Sequence, residues 1–285
     1  MAWERLGEIA PRELRSAREQ AHWAVQLIAA SGESLLAHTP DTSHTAMQWD
    51  AALASFVGGA LPGAPPLRVA VRVSDLTLCL LDPASESLAR SELAGRTLAD
   101  AYAWLAEMIH RATHAARAPA LVHPGFELPP HPLGRGGRFE LAPGLAELAR
   151  WYANADGVLR RLAQATRGAG AVLCWPHHFD IATLIAIAHA ADGRAARSVG
   201  AGLSPGDASI DEPYVYVNHW PATARRALPP LAAGEWFTQG WVGAALRGSQ
   251  IVAAGDAADQ EALVRAFLAS ALDESRALAL EGPPD

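Results

Sequence analysis

Ala171-Val-Leu-Cys-Trp175 breaks at Pro176 into His177-His178-Phe179-Asp180-Ile181. After a polar turn follow Gly200-Ala-Gly-Leu-Ser-Pro-Gly-Asp207 and then Asp211-Glu212-Pro213-Tyr-Val-Tyr-Val-Asn-His219-Trp220. Apolar runs of strand length, bounded by Pro and Gly, read as β-strands. Nowhere else do histidines, carboxylates, tyrosines and tryptophans crowd onto segments that also read as strands. Reactive and apolar groups together on rigid elements are what a ligand pocket needs.

Working outward, Leu67-Arg-Val-Ala-Val-Arg-Val73 alternates, Ser74-Asp75 turns and Leu76 to Leu81 returns, which predicts a β-hairpin. Residues 45–57, with Met47, Trp49, Leu53 and Phe56, fit either a strand or a helix. Pro11 opens a helix whose apolar steps are Leu14, Ala17, Ala21, Val25 and Ile28, with a stop expected at Ser31-Gly32. Thr97 with Asp100 resembles a capping box before a second amphipathic helix. Leu145, Leu148, Tyr152, Ala155, Leu159 and Leu162 predict a third. Gln250 to Ala254 reads as a short strand before a last helix carrying Val264, Phe267, Leu268 and Ala271.

Residues 118–144 are rich in Pro, Gly and His, including His123 and His131, and read as a long loop held down by Leu121, Phe126, Leu128 and Phe139. A second loop-like stretch, Pro229 to Gly243, carries Trp236 and Trp241. The fold class expected is α+β, a mostly antiparallel sheet with helices packed on one side. Helix–strands–helix occurs twice. The division read from this is a first half at 1–117, a crossover loop at 118–142 and a second half at 143–285 carrying the candidate site, together forming one compact unit. The halves suggest a pseudo-symmetric α-β-α duplication, and two ordinary α+β halves explain the same pattern.

Composition narrows the function classes. The formal charge of -7 is spread along the chain without a basic stripe. Nucleic acid is therefore not an expected partner, because binding to phosphate backbones needs such a stripe. No apolar run reaches the roughly 18–20 residues of a membrane span, so no membrane partner is expected. The N-terminus lacks a signal-peptide pattern. Cys79 and Cys174 each sit in an apolar run and read as small buried hydrophobes. Together these features point to a cytoplasmic protein.

Several short stretches, in order, are similar to an uncharacterised bacterial family, domain-of-unknown-function family 5996. They are His22-Trp23 followed by Gln26-Leu-Ile28, Arg150-Trp-Tyr-Ala-Asn-Ala-Asp156 with Val158, Phe179-Asp-Ile-Ala182, Gly202-Leu-Ser-Pro-Gly206 and Glu212-Pro-Tyr-Val-Tyr216. The resemblance spans nearly the whole chain and implies a shared fold without an activity. Where the family pattern has small residues before Phe-Asp, this chain has Pro176-His177-His178. The resemblance therefore implies no role for the paired histidines.

Strand parity decides which side chains can meet. With 177–184 extended, His178 and Asp180 share a face. With 212–219 extended, Glu212, Tyr214, Tyr216 and Asn218 share another, opposite Val215, Val217 and His219. One sheet presenting both faces could converge an imidazole and two carboxylates. A divalent metal at His178, Asp180 and Glu212 would activate water for a hydrolase-type reaction, with Tyr214 or Tyr216 assisting by hydrogen bonding. The same residues also fit the wet face of an antiparallel sheet. A small-molecule pocket lined by Trp175, Tyr214, Tyr216 and Trp220 is the leading functional expectation, suited to a flat apolar or sugar-like ligand. His110 and His114, at helical i,i+4 spacing beside Arg111, read as a solvated helix end. Gly200-Ala-Gly lacks the next glycine of a dinucleotide loop and reads as a turn.

Overall fold

Apolar residues at three- and four-residue steps fold as helices along this chain, and the alternating runs fold as antiparallel strands. The computed structural model describes residues 2–190, 195–222 and 228–281. The chain divides into a first unit, Ser16–Ala149 with Leu173–Phe179, and a second unit, Met1–Arg15, Arg150–Val172 and Asp180–Asp285.

The first unit begins with α1 (Arg15–Leu35), preceded by a 3-10 turn at Pro11–Leu14. The helix runs past the stop expected at Ser31-Gly32. Ser31 donates its hydroxyl back to the Leu27 carbonyl at 2.8 Å, inside the helix. Gly32 answers a close approach, because a Cβ there would run into the carbonyl oxygen of His44. The ambiguous 45–57 region is a hairpin of β1 (Met47–Asp50) and β2 (Ser55–Gly58), with Trp49 facing Phe56. The hairpin predicted at 67–81 is present as β3 (Arg68–Arg72) and β4 (Thr77–Leu81), Arg68 facing Leu81. Its neighbour β5 (Ser87–Glu92) was not foreseen: an edge strand with Leu88 exposed and Arg90 and Glu92 outward carries little apolar alternation.

α2 (Leu98–Thr113) has the capping box read from sequence. Asp100 N–H donates to Thr97 Oγ1 at 3.1 Å, and Thr97 N–H donates to Asp100 Oδ2 at 3.0 Å. His114 leaves the helix in the left-handed region, so the i,i+4 pair with His110 is broken. β6 (Leu173–Trp175) pairs with β1 through Cys174 and Met47. Strand order is β6-β1-β2-β3-β4-β5. One cross-strand row, Trp49, Phe56, Val71 and Leu78, is buried throughout. The Pro/Gly/His loop is pinned by Leu133 and Phe139, both buried. Neither Cys79 nor Cys174 is in a disulfide, and burial pushes the Cys79 thiol up, away from reactivity.

The second unit holds most of α3 (Leu145–Ala165), β7 (Asp180–His189), β8 (Ala195–Ser204), β9 (Tyr214–Trp220), β10 (Glu235–Phe237), β11 (Gly243–Arg247), α4 (Gly248–Ala253) and α5 (Ala257–Glu281). The strands are antiparallel in the order β7-β8-β9-β11-β10. Two expectations are corrected. Residues 250–253 are helical, in a helix begun by Arg247 N–H donating to Gln250 Oε1 at 3.0 Å and capped at Ala254. The 229–243 stretch contains β10, which brings Trp236 and Phe237 onto the sheet. The polar turn after β7 includes residues 191–194, which lie outside the described residues.

α5 packs on β8, β9 and β11. Leu203 and Val215 meet Val264 and Leu268 of α5 and Trp151 and Leu159 of α3 around an apolar void of roughly 10 Å³, room for at most one water. The fold is α+β, with antiparallel strands and helices packed on one side of them. Among the described residues, no helix is long and apolar enough to cross a membrane.

Candidate functional site

The turn before β7 settles the strand-parity argument. Pro176–Phe179 is not extended: Phe179 N–H donates to the Trp175 carbonyl at 2.7 Å, and Phe179 itself has φ +58. Parity therefore does not relate His178 to Asp180, and the strand starts only at Asp180. The turn is held from α1. His22 Nε2 lies 2.8 Å and Gln26 Nε2 3.0 Å from the Pro176 carbonyl oxygen, which accepts from both. Phe179 stacks on His22 at 5.3 Å and meets Phe56 at 5.7 Å. Burial pushes the His22 imidazole down to about 4. It is therefore neutral near pH 7 and carries its proton on Nε2. His178 is exposed on this turn. His177 is half-buried beside Trp175 and Phe126, and burial pushes it down to about 4.

In the second unit Asp180 and Glu212 have separate partners. Asp180 accepts from the Tyr216 hydroxyl. Glu212, 1 % exposed, accepts from Ser249 N–H at 2.7 Å, and its other oxygen lies 3.6 Å from Arg12 Nε. Glu212 thus fastens the start of α4 to the N-terminal segment. It also precedes β9, so the predicted face holds only from Tyr214 onward.

That face does form. Tyr216, Asn218 and Trp220 point away from the helices, while Val215, Val217 and His219 are buried. Ala182, Gly202, Tyr216 and Ala245 lie in one cross-strand row, with Leu184, Gly200, Asn218 and Gly243 in the next row of the same face. The Gly200-Ala-Gly202 pattern is thereby explained. It is strand rather than the turn expected, and its two glycines leave room for long neighbours to lie flat. A Cβ at Gly202 would sit 2.7 Å from Tyr216 Oη, the hydroxyl that reaches across to Asp180.

Beside this row the aromatic groups gather. Tyr214 and Tyr216 have ring centroids 6.2 Å apart, Trp241 stacks on Tyr214 at 6.3 Å, and Phe237 meets Trp241 at 5.1 Å. Tyr214 donates to Asp207 Oδ2 at 2.6 Å. Burial, with that hydrogen bond and charge, pushes its phenol above the ordinary range. Phe237 also lines an open cleft of about 490 Å³ with Ser209, Glu235, Trp236, Gln239 and Arg247. Glu235 and Arg247 pair across 3.0 Å in it.

Of the four residues expected to line a pocket, Tyr214 and Tyr216 are in this aromatic group. Trp220 is on the same sheet face but exposed, and Trp175 belongs to the first unit. Phe237, Glu235 and Arg247 were missed, because the β10–β11 hairpin that brings them together begins in a stretch that reads as loop. The tryptophans at 236 and 241 were the available signal. Among the described residues, one group of three His, Cys, Asp or Glu has its ligand atoms mutually within 4.8 Å: Glu33, His38 and His44, in the first unit. The expected metal set of His178, Asp180 and Glu212 is not such a group. No protein-family model, curated protein or solved structure matches the chain.

Proposed function

We propose that the protein binds a small polyhydroxylated, sugar-like molecule in the cleft bordered by residues 208–209, β10 and Arg247. The observation that carries this reading is the cleft itself. Its volume of about 490 Å³ falls within the roughly 300–1,000 Å³ of small-molecule sites. Its lining pairs a flat aromatic ring, Phe237, with groups that hydrogen-bond in two directions, Ser209, Thr238 and Gln239, and with both charges of the Glu235–Arg247 pair. Rings that pack on the apolar face of a hydroxylated ring, beside donors and acceptors for its hydroxyls, make up that recognition chemistry. Behind Phe237, the Trp241–Tyr214–Tyr216 group is packed and hydrogen-bonded to carboxylates, which keeps the wall rigid.

The test is a thermal-shift and calorimetric screen of mono- and disaccharides and cyclic polyols against the full chain, repeated on Phe237→Ala and Arg247→Ala. A ligand that stabilises the wild type and loses at least about tenfold in affinity in both variants supports the reading, given the 1.4 kcal/mol that tenfold represents. A ligand that binds both variants as well as the wild type refutes it. We also propose the likeness to domain-of-unknown-function family 5996 as a kinship of fold, tested by superposing each unit on a solved member.

A further inference from the structure

We propose that Glu33, His38 and His44 form a binding site for a divalent transition-metal ion of the zinc type. The site is in the first unit and independent of the cleft. Glu33 is on the last turn of α1, His38 in the loop that follows, and His44 in the 3-10 turn Ser43–Thr45 that leads into β1. Gly32 lets the backbone of that turn press against the helix, which brings His44 to Glu33.

The ligand atoms are spaced for an ion. His44 Nε2 lies 3.0 Å from Glu33 Oε2, and His38 Nε2 lies 3.5 Å from Glu33 Oε1. Zinc bonds of about 2.0–2.1 Å in a tetrahedron put neighbouring ligand atoms about 3.3–3.4 Å apart. Rotation of the exposed His38 ring out of its stack on His44, with small shifts of the ligand atoms, would complete the site. A hydrogen bond from His44 to Glu33 explains one of these contacts. His38 Nε2 also lies 3.0 Å from the Glu33 carbonyl oxygen, so what points to an ion is that both imidazoles, stacked with centroids 4.5 Å apart, gather the same nitrogen at the two oxygens of one carboxylate.

The surroundings fit as well. His44 is buried and its other nitrogen, Nδ1, is 3.2 Å from both the amide nitrogen and the hydroxyl oxygen of Thr39. In the metal-free protein the Thr39 N–H donates to Nδ1, and Nε2–H donates to Glu33. With metal on Nε2, the proton moves to Nδ1, the Thr39 N–H gives up its bond there, and the Thr39 hydroxyl accepts from Nδ1–H as the outer contact that orients the ligand histidine. His38 is exposed, and its Nε2 gives up a 3.0 Å contact with the Glu33 carbonyl on binding. Two imidazoles and one carboxylate suit zinc, cobalt or nickel over magnesium or calcium. Three protein ligands leave a fourth position for water on the exposed His38 side.

The test uses the untagged full chain. Cobalt(II) titration followed by its visible absorption, and zinc competition against a chromophoric chelator, should each give one equivalent bound, with a rise in Tm. His38→Ala, at an exposed position, and Glu33→Gln, which keeps the shape, should each weaken zinc binding by at least about tenfold. A His177→Ala/His178→Ala double variant should bind as the wild type does. No binding by the wild type overturns the proposal. So does an affinity unchanged in the folded His38→Ala and Glu33→Gln variants, or one lost only in the 177/178 variant.

Discussion

His22 should make the first unit sensitive to acid, with a magnitude that follows from its burial. Its imidazole is pushed down from an ordinary 6.5 to about 4, chiefly by burial, against the Pro176 carbonyl that favours the protonated form. A folded-state pKa below the unfolded one means that the unfolded chain binds more protons between those values. The contribution to stability is therefore fully present above about pH 6.5 and is lost as pH falls toward 4. At 1.36 kcal/mol per pKa unit, the full shift corresponds to about 3 kcal/mol, of which about 2 kcal/mol is lost between pH 7 and 4.5. The perturbation is His22→Gln, whose amide can still donate toward Pro176 but does not titrate. Urea unfolding followed by far-ultraviolet circular dichroism at several pH values gives both stability curves, and the carboxylates common to both cancel in the difference. The variant should lose about 2 kcal/mol less than the wild type on acidification. Parallel curves, or a His22 ring that titrates near 6.5 by NMR, would refute the reasoning.

Three further outcomes follow from single contacts. Gly202→Ala should cost about 1–3 kcal/mol, as overpacking does, since its methyl would lie 2.7 Å from both Tyr216 Oη and the Ile181 carbonyl oxygen; a neutral effect in urea would show that the tyrosine does not lie across the strand. Thr97→Ala should cost about 1 kcal/mol by removing the capping-box acceptor, read as a lowered Tm. Tyr214 should not ionise near the ordinary phenol value of about 10, because burial and Asp207 hold it protonated. The ultraviolet difference between wild type and Tyr214→Phe on raising pH should therefore lack a phenolate step there, and its presence would contradict the packing around Asp207.

What could be read from sequence was local. Residues 67–73 alternate because Arg68 and Arg72 flank buried Val69 and Val71, although Ala70 and Leu81 on the arginine face are buried too, and Thr97 and Asp100 satisfy each other three residues apart. Gly32 was misread because a glycine signals either a helix end or a close approach, and only the distant His44 backbone distinguishes them. Ile251-Val252 look like strand residues but occupy one short capped helix. The turn at 176–179 was marked by its proline, yet its path depends on His22 and Gln26, some 150 residues earlier. His22 stacks on Phe179 there, while His22 and Gln26 both hold the Pro176 carbonyl. The parity of β9 survived because the strand is regular from Tyr214 to Trp220. Glu212 fell just outside it and became a fastening for α4.

The most direct measurement is diffraction from crystals of the full chain soaked with a library of small hydroxylated and aromatic fragments. Bound fragments are expected to concentrate in the cleft, with rings against Phe237 and polar atoms on Glu235, Arg247 or Gln239. Fragments gathering elsewhere on the protein, with none in that cleft, would contradict the proposed function.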